Sequence, residues 1–406
     1  MVSPKKTLEE ATGISLCTSF ANSKKFEDLR DSDWDVVVLG AGVAGSSAAI
    51  FASRRGLKTL LVESKSFPRE KVCGGCLNQR AQASLERLGV KDQVESAGAV
   101  SIDSMRLKIL RAQAVWRVPK MLSVRRSTLD TILVQKAITC GSEFIDGTQG
   151  SLLATMSNSK NATRSVRLQN CGESTNIQSK VVLVASGLSR SSIRQEDNWP
   201  AKTEDDSRIG VQCLVSERVA PSFSDGRLHM LVGREGYVGI CKTDGGLLDV
   251  AAAIDPMVIQ NQGGIRQVVQ RIMVECGFDE IDLPERTQWL ATPSLTRSSA
   301  RVADHRAFLI GDAIGYVEPF TGEGMSWAFA SAESVMPIVE EIASHGWRDD
   351  MSGRWNEWAL RQRKQKQRTC RWIAGQIRWP RGAAWVLWAC NWLPPLHASI
   401  IRRTSQ

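Results

Sequence analysis

Three glycines near the N-terminus have the spacing of a loop that binds a pyrophosphate. They lie in Gly40-Ala-Gly42-Val-Ala-Gly45, directly after a short apolar run. In this pattern the first glycine permits a tight turn, the second lets the backbone reach the pyrophosphate, and the third lets helix and strand pack closely. The free N–H groups of the helix that begins around Val43 and Ala44 then point at the phosphates. The pattern predicts a dinucleotide site.

An acidic residue after the next strand supports this prediction. Residues 35–39 and 57–62 are apolar runs typical of buried parallel strands, and the Ala-rich stretch between them favours a helix. Glu63 follows the second run, 23 positions after Gly40, near the spacing of an acid that binds a ribose hydroxyl. With Ser64 beside it, Glu63 completes a β-α-β nucleotide unit, which does not by itself distinguish NAD from FAD.

The C-terminal half of the chain supplies a second motif, and this one favours FAD. Residues 306–311 form a buried-strand pattern that delivers Asp312 at its carboxyl end, the usual ligand side of a parallel sheet. A carboxylate there can accept a hydrogen bond from a ribityl hydroxyl. Gly322 and Gly324 open a helix predicted over 324–343. Its N–H groups can meet the flavin pyrimidine carbonyl, where negative charge gathers on reduction.

These residues resemble a known family. Gly311-Asp312-Ala313 and Pro319-Phe-Thr-Gly-Glu-Gly-Met325 are similar to the second FAD motif of the geranylgeranyl reductase family. That family belongs to a wider flavoprotein group of aromatic hydroxylases and flavin-dependent halogenases. The resemblance covers roughly residues 35–345. It implies FAD, and it implies an α/β fold in which a Rossmann-type FAD-binding domain carries an inserted, mainly antiparallel β-sheet that covers the substrate.

Two further segments resemble the same family. Phe67-Pro-Arg-Glu-Lys-Val-Cys-Gly-Gly75 is similar to the segment after the ribose acid, which runs past the flavin, and this assigns Arg69 and Gly74 to the cofactor site. Ser123-Val-Arg-Arg126 is similar to the helix start whose arginine reaches FAD, so the resemblance gives that role to Arg126. Residues 127–138 are the predicted helix, with Ser127 as its N-cap and Asp130 at its third position.

A third segment resembles the family, and two other segments differ from the patterns of the reductases and the halogenases. Val182-Leu-Val-Ala-Ser-Gly187 is similar to the Ala-Thr-Gly stretch of the family, which adds Gly187 to the site. The segment Gly236-Tyr-Val-Gly-Ile240 lacks the Trp that such reductases commonly carry in the sheet. Halogenases carry a Trp-x-Trp-x-Ile-Pro segment, whereas Trp116-Arg-Val-Pro119 has a single Trp, which disfavours halogenation.

Few side chains are candidates for the chemistry, because the flavin carries the redox step. Cys73 lies in Cys73-Gly-Gly-Cys76, where a thiol beside the flavin could position or protonate the substrate. Alternatively, the glycines serve close backbone approach and the thiols are bystanders; a disulfide cycle is disfavoured because a thioredoxin context is missing. Glu323 is either a general acid or a charge that complements the helix dipole.

Histidines and metal ligands contribute little to the predicted site. His229 and His305 have no nearby acid-base partner in the sequence, so each is predicted to be structural or a surface residue. A zinc site needs a second pair of ligands beyond Cys73 and Cys76, and none has suitable spacing. The sequence therefore predicts no metal.

The C-terminal tail is basic and rich in tryptophan. Eight of the thirteen Trp residues follow position 341, and after Glu357 there are ten Lys/Arg and no acid. Arg361–Arg371 is a basic helix candidate, and Trp385, Trp388 and Trp392 would share one helix face. Such a tail suits a membrane interface. The alternative is a helical pair that packs on the body and covers the pocket.

Composition limits the other classes of function. The net charge is +9, and the residues from 341 onward carry +8 of it, so the nearly neutral body disfavours a nucleic-acid partner. No run of about 18 apolar residues is present, and the ten cysteines are scattered. We therefore expect a cytoplasmic protein that can contact a membrane surface through its tail.

The chain is predicted to contain a large two-part body with an extension at each end. Short strands with Gly turns over 208–255 indicate an antiparallel insert. The predicted units are a polar mobile extension (1–33), an FAD-binding domain (34–95, 123–207 and 300–345), a substrate-covering β-sheet domain (96–122 and 208–299) and a basic Trp-rich helical tail (346–406).

The motifs predict an FAD-dependent oxidoreductase that passes a hydride from the reduced flavin to a double bond of a hydrophobic, isoprenoid or polyketide-like small molecule. A monooxygenase that uses a flavin C4a-hydroperoxide is the main alternative, because it needs the same FAD site. A halogenase and a non-catalytic, flavin-binding membrane partner are further alternatives. NADPH or NADH is the candidate electron donor, although no nicotinamide motif is visible.

Overall fold

The computed structural model describes residues 25–30, 32–154, 163–193, 199–261, 263–278, 283–318, 320 and 322–392, with side chains at all of these except 363–374, 386 and 388–392. The helices are α1 (Val43–Ser53), α2 (Gln79–Leu88), α3 (Lys91–Ser96), α4 (Arg126–Thr139), α5 (Pro256–Asn261), α6 (Ile265–Glu275), α7 (Gly324–Ser334), α8 (Met336–His345), α9 (Asp350–Ile377) and α10 (Pro380–Trp392).

The strands are β1 (Asp33–Leu39), β2 (Thr59–Val62), β3 (Cys76–Leu77), β4 (Val100–Ile109), β5 (Ala112–Ser123), β6 (Glu143–Ile145), β7 (Gln149–Leu152), β8 (Arg164–Asn170), β9 (Glu173–Val184), β10 (Ala201–Thr203), β11 (Ile209–Ser216), β12 (Leu228–Val232), β13 (Gly236–Thr243), β14 (Leu247–Ile254), β15 (Leu290–Ser294), β16 (Arg297–Ser299), β17 (Ala303–Asp304), β18 (Ala307–Leu309) and β19 (Gly315–Tyr316). They include two long runs, β6–β14 and β15–β19, in which no described α-helix lies between the strands.

A largely parallel sheet forms the base of the FAD-binding half. Its main strand order is β17-β18-β9-β1-β2-β6, and all of these strands except β17 run parallel to their neighbours. The apolar runs predicted as strands are buried, because side chains of the main core cover both faces. The hairpin β7–β8 pairs with β9. The carboxyl ends of β1, β2, β9 and β18 therefore meet at one edge of the sheet.

Helix α1 begins immediately after this edge. Gly42 is its N-cap in extended backbone, so the helix N-terminus faces the same space as the ends of β1 and β9. A Cβ atom on Gly45 would lie 1.8 Å from the carbonyl oxygen of Gly40. Only glycine allows this close approach, which fixes the start of α1 against the turn.

An inserted sheet covers the carboxyl edge. Its order is β15-β11-β14-β13-β12-β4-β5-β3, and its neighbours are antiparallel except for β12 and β4. Helix α6 packs on one face through Val268, Val269 and Ile272, which gives this sheet its own core. The other face points toward the FAD-binding half. These layers confirm the predicted α/β class with an inserted, mainly antiparallel sheet and a C-terminal helical region.

The helix predicted over 127–138 has a different start from the one expected. α4 begins at Arg126, with Arg125 as N-cap and no side-chain capping bond, so the prediction that Ser127 caps the helix is wrong. Ser127 Oγ instead donates to Glu70 Oε1 at 2.5 Å. Asp130 lies in the second turn and accepts hydrogen bonds from arginines. Ser127 and Asp130 therefore bind other side chains of the site and do not cap the N-terminus of α4.

Two further boundaries differ from the predictions. The helix predicted over 324–343 is divided into α7 and α8, because Pro337 lacks an N–H group and can stand only in a first turn. The predicted extension over 1–33 is too long, because Phe26 and Leu29 form a 3-10 helix turn buried in the main core and β1 starts at Asp33. Residues 1–24 lie outside the described part of the chain.

The tail begins as part of the main core. Trp347, Met351 and Trp355 are buried against the FAD-binding half, and Trp355 Nε1 donates to the Leu309 carbonyl oxygen at 3.0 Å. The long helix α9 then reaches across to the inserted sheet, where α10 packs with Leu387 buried. The tail thus spans both halves of the molecule.

Candidate active site

One cavity of about 950 Å³ lies between the carboxyl edge of the parallel sheet and the inserted sheet. Its wall contains most of the residues that the sequence predicted for the site, brought together from segments far apart in the chain. They are Gly40, Gly42, Val43, Ala44, Glu63, Ser64, Arg69, Cys73, Gly74, Arg126, Gly187, Gly311, Asp312, Gly322, Glu323, Gly324 and Met325.

Two predicted cofactor residues are not in this wall. Gly45 lies behind it, where the absence of a side chain makes room for the Gly40 carbonyl group. Pro319 lies outside the described residues.

The glycines leave a space that fits a pyrophosphate. Gly40 has φ +110°, and a Cβ atom there would lie 2.5 Å from the carbonyl oxygen of Ala185. A Cβ atom on Gly42 would point at three cationic groups, 3.5 Å from Arg126 Nη2 and 3.7 Å from both Arg69 Nη2 and Lys71 Nζ. Cations and the N-terminus of α1 converge on the same space, which suits an anion. The residues present therefore fit the diphosphate of FAD.

A chain of ion pairs holds these cations in place. Glu63 Oε2 accepts from the Ala41 N–H and from Arg69 Nη2, both at 3.0 Å. Arg69 Nη1 donates to Asp130 Oδ2 at 2.9 Å, and Arg126 Nη2 donates to the same oxygen at 2.8 Å. Asp130 is fully buried, so this network is protected from solvent and orders the arginines without a ligand.

The acids of the network stay charged, whereas Asp312 is held closer to neutral. Burial would raise the pKa of Glu63 and of Asp130, but the attraction of the neighbouring arginines outweighs it and lowers both values. Burial raises the pKa of Asp312, and Lys71 and Arg126 offset this only in part. Burial also lowers the pKa of Lys71, with a further contribution from Arg126.

Lys71 and Asp130 were not predicted as site residues. Both carry a signal that could have identified them. Lys71 lies two positions after Arg69, within the segment that was predicted to run past the flavin, and it lines the same cavity. Arg126 and Asp130 are four residues apart on a helix, the spacing of an intrahelical ion pair.

The two cysteines of Cys73-Gly-Gly-Cys76 point to different partners. The Cys73 N–H donates to Gln212 Oε1 at 3.2 Å, and burial raises the pKa of its thiol, so Cys73 lines the cavity as a neutral thiol. Cys76 Sγ lies 3.9 Å from Cys241 Sγ on the inserted sheet. The structure therefore does not bring Cys73 and Cys76 together as a pair.

Glu323 lies at the junction between the cavity and the helix that follows. It is the residue before α7 and makes no side-chain capping bond. It borders the main cavity and also a smaller cleft of about 240 Å³ that includes Arg80 and Asn78. Both roles predicted for Glu323 are compatible with this position.

The part of the cavity under the inserted sheet is an apolar chamber. Its wall is built from β-strand side chains and from the tail, and it includes Met105, Leu107, Ile109, Trp116, Met230, Tyr237, Leu295, Phe320, Ile377 and Leu387. Tyr237, from the segment that lacks the expected Trp, packs edge-on against Phe320 with ring centroids 5.1 Å apart. Behind them, Arg208 Nη1 pairs with buried Glu318 Oε1 at 3.0 Å.

The two histidines named in the sequence lie in different environments. The statement that His229 lacks a partner is wrong, because His229 Nε2 lies 2.7 Å from Asp225 Oδ1, four residues earlier on the chain. His305 is buried and packs edge-on against Trp347. Among the residues with described positions, no cluster of three or more His, Cys, Asp or Glu could hold a metal ion. The described helices include none with the length and apolar character needed to cross a bilayer.

Comparison with known proteins agrees with the cofactor geometry. Residues 33–337 match the family described as FAD binding domain. Conditioned medium factor receptor 1 of Dictyostelium discoideum is 25% identical over 348 residues, which are 79% of this chain and 66% of that protein. Menaquinone reductase of Mycolicibacterium smegmatis is 48% identical over 62 residues, 15% of each chain. This chain thus aligns with less than two thirds of either protein.

More complete matches come from a lipid-acting reductase and from solved structures. Digeranylgeranylglycerophospholipid reductase of Thermoplasma acidophilum is 23% identical over 357 residues, 84% of this chain and 86% of that protein. The flavin-dependent brominase Bmp2 shares the fold with a TM-score of 0.71 at 19% identity, covering 92% of this chain and 94% of its own. PqsL, a probable FAD-dependent monooxygenase from Pseudomonas aeruginosa, has a TM-score of 0.68 at 16% identity, over 87% and 100% of the two chains. The chain belongs to the FAD binding domain family.

Proposed function

We propose that this enzyme reduces a carbon–carbon double bond in a hydrophobic, isoprenoid- or polyketide-like molecule. The observation that carries the proposal is the continuity of one cavity from the cationic cofactor end to the apolar chamber. A substrate in the chamber would reach the cofactor without crossing solvent. The similarity to proteins named menaquinone reductase and digeranylgeranylglycerophospholipid reductase supports a substrate with an isoprenoid chain.

Different residues of the chain would bind the cofactor, orient the substrate and supply a proton. Bound FAD supplies two-electron redox chemistry. Arg69, Lys71 and Arg126 would hold its diphosphate and Glu63 a ribose hydroxyl. The chamber would orient the substrate and exclude water. Reduction of a double bond also needs a proton, and the neutral Cys73 thiol in the wall can hold one at Sγ; Glu323 is the second candidate.

An anaerobic single-turnover experiment tests the proposal. The FAD-loaded protein is reduced with dithionite, mixed without oxygen with menaquinone or a geranylgeranyl lipid, and the product is analysed by mass spectrometry. We expect reoxidation of the flavin and a product that has gained two hydrogen atoms in its isoprenoid chain, located by fragmentation after any quinol has been reoxidised in air. No product with either substrate under these conditions would contradict the proposal.

A monooxygenase is the alternative, and the fold shared with PqsL supports it. It would need oxygen and would add one oxygen atom from labelled dioxygen to the substrate. A protein whose flavin no donor reduces would instead be the non-catalytic binding partner. The same purified sample, compared with and without oxygen, separates these outcomes from the double-bond reductase.

We propose a nicotinamide nucleotide as the electron donor. The support is indirect, because the proposed reaction consumes a hydride equivalent in each cycle. Anaerobic mixing with NADPH or NADH should bleach the flavin absorbance in proportion to the nucleotide added. Bleaching by dithionite alone would assign the donor role to another reductant.

We also propose that the tail contacts an anionic membrane surface. Trp379 and Trp385 have 71% and 72% of their surface exposed, more than any other large hydrophobic residue with a described side chain. No acidic residue follows Glu357, so this segment is cationic. Interfacial Trp and basic residues together favour such a surface.

Vesicle sedimentation tests the membrane contact. The protein should sediment with phosphatidylserine vesicles more than with phosphatidylcholine vesicles, and the double variant Trp379→Ala/Trp385→Ala should lose most of this binding. Met257→Ala is the matched control, because Met257 is 68% exposed but lies on the inserted domain. Equal loss in the control would refute a specific role of the tail.

A further inference from the structure

Two thiols from different parts of the chain meet beside the cavity. Cys76 Sγ lies 3.9 Å from Cys241 Sγ, and both cysteines are free. Ser123 Oγ lies 3.3 Å from Cys241 Sγ, and the carbonyl oxygen of Gly74 accepts from the same sulfur at 3.9 Å. The side chains are buried, with 7% of Cys76 and 2% of Cys241 exposed.

The pair links the edge strand β3 of the inserted sheet to β13 of the same sheet. Cys76 is on β3, directly after the Cys-Gly-Gly segment, whereas Cys241 is on β13, 165 positions later in the chain. Both line the cavity, so a small molecule that enters the cavity can reach them. A Cβ atom on Gly322 would lie 3.8 Å from Cys76 Cβ, which places this thiol next to the segment that leads into α7.

The two thiols are not equivalent. Their mutual hydrogen bond lowers the pKa of Cys241, although burial opposes this, and it raises the pKa of Cys76, which burial raises further. Ser123 also favours the thiolate of Cys241. The thiolate is the nucleophilic form of cysteine, so Cys241 is the better nucleophile of the pair. The charges of Asp249 and Cys73 raise the pKa of Cys76 as well, which favours the same order.

We propose that Cys241 and Cys76 are an oxidisable thiol pair that reacts with hydrogen peroxide in the cavity and closes into a disulfide. In the first step the Cys241 sulfur attacks one peroxide oxygen, an S–O bond forms, the O–O bond breaks, and the departing hydroxide takes up the proton that the Cys241 thiol gives up and leaves as water. Cys241 is then a sulfenic acid. This reaction goes beyond the proposed substrate reduction and does not depend on it.

In the second step the Cys76 sulfur attacks the sulfenic sulfur of Cys241. An S–S bond forms, the S–O bond breaks, and hydroxide leaves with the Cys76 proton as a second molecule of water. In sum, two thiols and one peroxide give one disulfide and two waters. The two sulfurs lose two electrons and the peroxide gains them, so the balance needs no further reactant.

Thiol mapping of the FAD-loaded protein tests the proposal. The protein is treated with a small excess of hydrogen peroxide, the remaining thiols are alkylated under denaturing conditions, and the mass of the chain and its peptides is measured. We expect two fewer alkylated thiols, the loss of two hydrogen atoms, and a linked peptide that contains Cys76 and Cys241. A Cys73–Cys76 link, or sulfinic acids without any link, would overturn the proposal.

Single variants test the assigned order. In Cys76→Ala we expect a sulfenic acid at Cys241 that dimedone traps, and in Cys241→Ala we expect Cys76 to remain alkylatable. Equal trapping in both variants would refute Cys241 as the nucleophile. Cys276→Ala is the matched control, because Cys276 is buried in the separate core of the inserted sheet, where burial raises its pKa to about 12, and its loss should leave the link intact. The wild-type mapping still decides the proposal if a variant fails to fold.

Discussion

The two ends of the cavity are built by different means. At the cofactor end, the backbone turns of Gly40 and Gly187 and a network of ionised side chains form the wall. At the chamber end, apolar side chains from strand faces and from α10 form it. The first end recognises phosphate and hydroxyl groups at fixed positions, whereas the second recognises only apolar shape. A substitution should therefore be tolerated less at the cofactor end than at the chamber end.

The largest effect is expected for Gly45→Ala. The added Cβ atom would lie 1.8 Å from the Gly40 carbonyl oxygen, so α1 must move away from the turn that receives the diphosphate. We expect the free energy of unfolding to fall by about 3 kcal/mol or more, with loss of bound FAD. Thermal unfolding and the flavin absorbance per chain measure both.

Gly353→Ala is the matched control for this change. Gly353 is also inside a helix, but a Cβ atom there has no neighbour within 4 Å. Alanine should stabilise α9 by up to about 1 kcal/mol. If Gly45→Ala and Gly353→Ala gave similar stability and FAD content, the cofactor end would not depend on close helix packing.

The next largest effect is expected for Asp130→Asn. Asp130 is fully buried and joins Arg69 to Arg126, so its neutralisation leaves two buried guanidinium groups with a weakened partner. Breaking a buried pair typically costs about 3 kcal/mol. We expect a loss of that order in the free energy of denaturant unfolding and weaker FAD binding. Saturating FAD should restore part of the stability, because the diphosphate supplies negative charge.

The exposed pair Glu357–Arg361 supplies the control for Asp130. Its residues also lie four positions apart on one helix, but both are more than half exposed. Glu357→Gln should change the free energy of unfolding by no more than about 0.5 kcal/mol. Equal effects of the two substitutions would mean that burial of the network adds nothing.

The contrast between the two ends also explains how much the sequence could predict. The cofactor end depends on local conformations with short sequence patterns, so Gly40, Gly42, Glu63 and Asp312 could be assigned from spacing alone. Lys71 was not assigned because the resemblance over residues 67–75 does not specify which side chains of that segment face the cavity. Ser127 was assigned to a helix cap because the partner that attracts it, Glu70, comes from another segment.

For the chamber end, the sequence predicted an inserted sheet but not which of its side chains line the cavity. Its residues are apolar side chains that any buried strand would contain, and contacts between distant segments select which of them face the cavity. Cys241 is an example, since nothing near it in the sequence points to Cys76. The tail shows the same limit, because Leu387 in the chamber and the exposed Trp385 lie on one short helix.

At the chamber end we expect a moderate effect from Leu387→Ala. Leu387 is 4% exposed and packs from α10 onto the inserted sheet, so its truncation enlarges the chamber. The cost should be about 2 kcal/mol, and the KM for a long apolar substrate should rise by about tenfold, with kcat little changed. Leu360→Ala on α9, where Leu360 is 49% exposed, should stay within about 0.5 kcal/mol of the wild type. A KM that is unchanged in Leu387→Ala would remove α10 from the substrate site.

The smallest effect is on the pH dependence of stability, which differs between the inserted sheet and the cofactor end. Burial lowers the pKa of His229 in the inserted sheet below its ordinary value of 6.5, even though Asp225 attracts the proton. The unfolded chain therefore binds this proton first, and the stability that His229 contributes above pH 6.5 is lost as the pH falls below it. Glu63 and Asp130 have lowered pKa values, so the stability they contribute is lost only at a more acidic pH, below their ordinary values of 4.5 and 3.8. His229→Gln should accordingly reduce the loss in unfolding free energy between pH 6.5 and more acidic pH, as measured by denaturant unfolding across this range. Identical slopes for His229→Gln and the wild type would mean that His229 does not contribute to the loss of stability in this pH range.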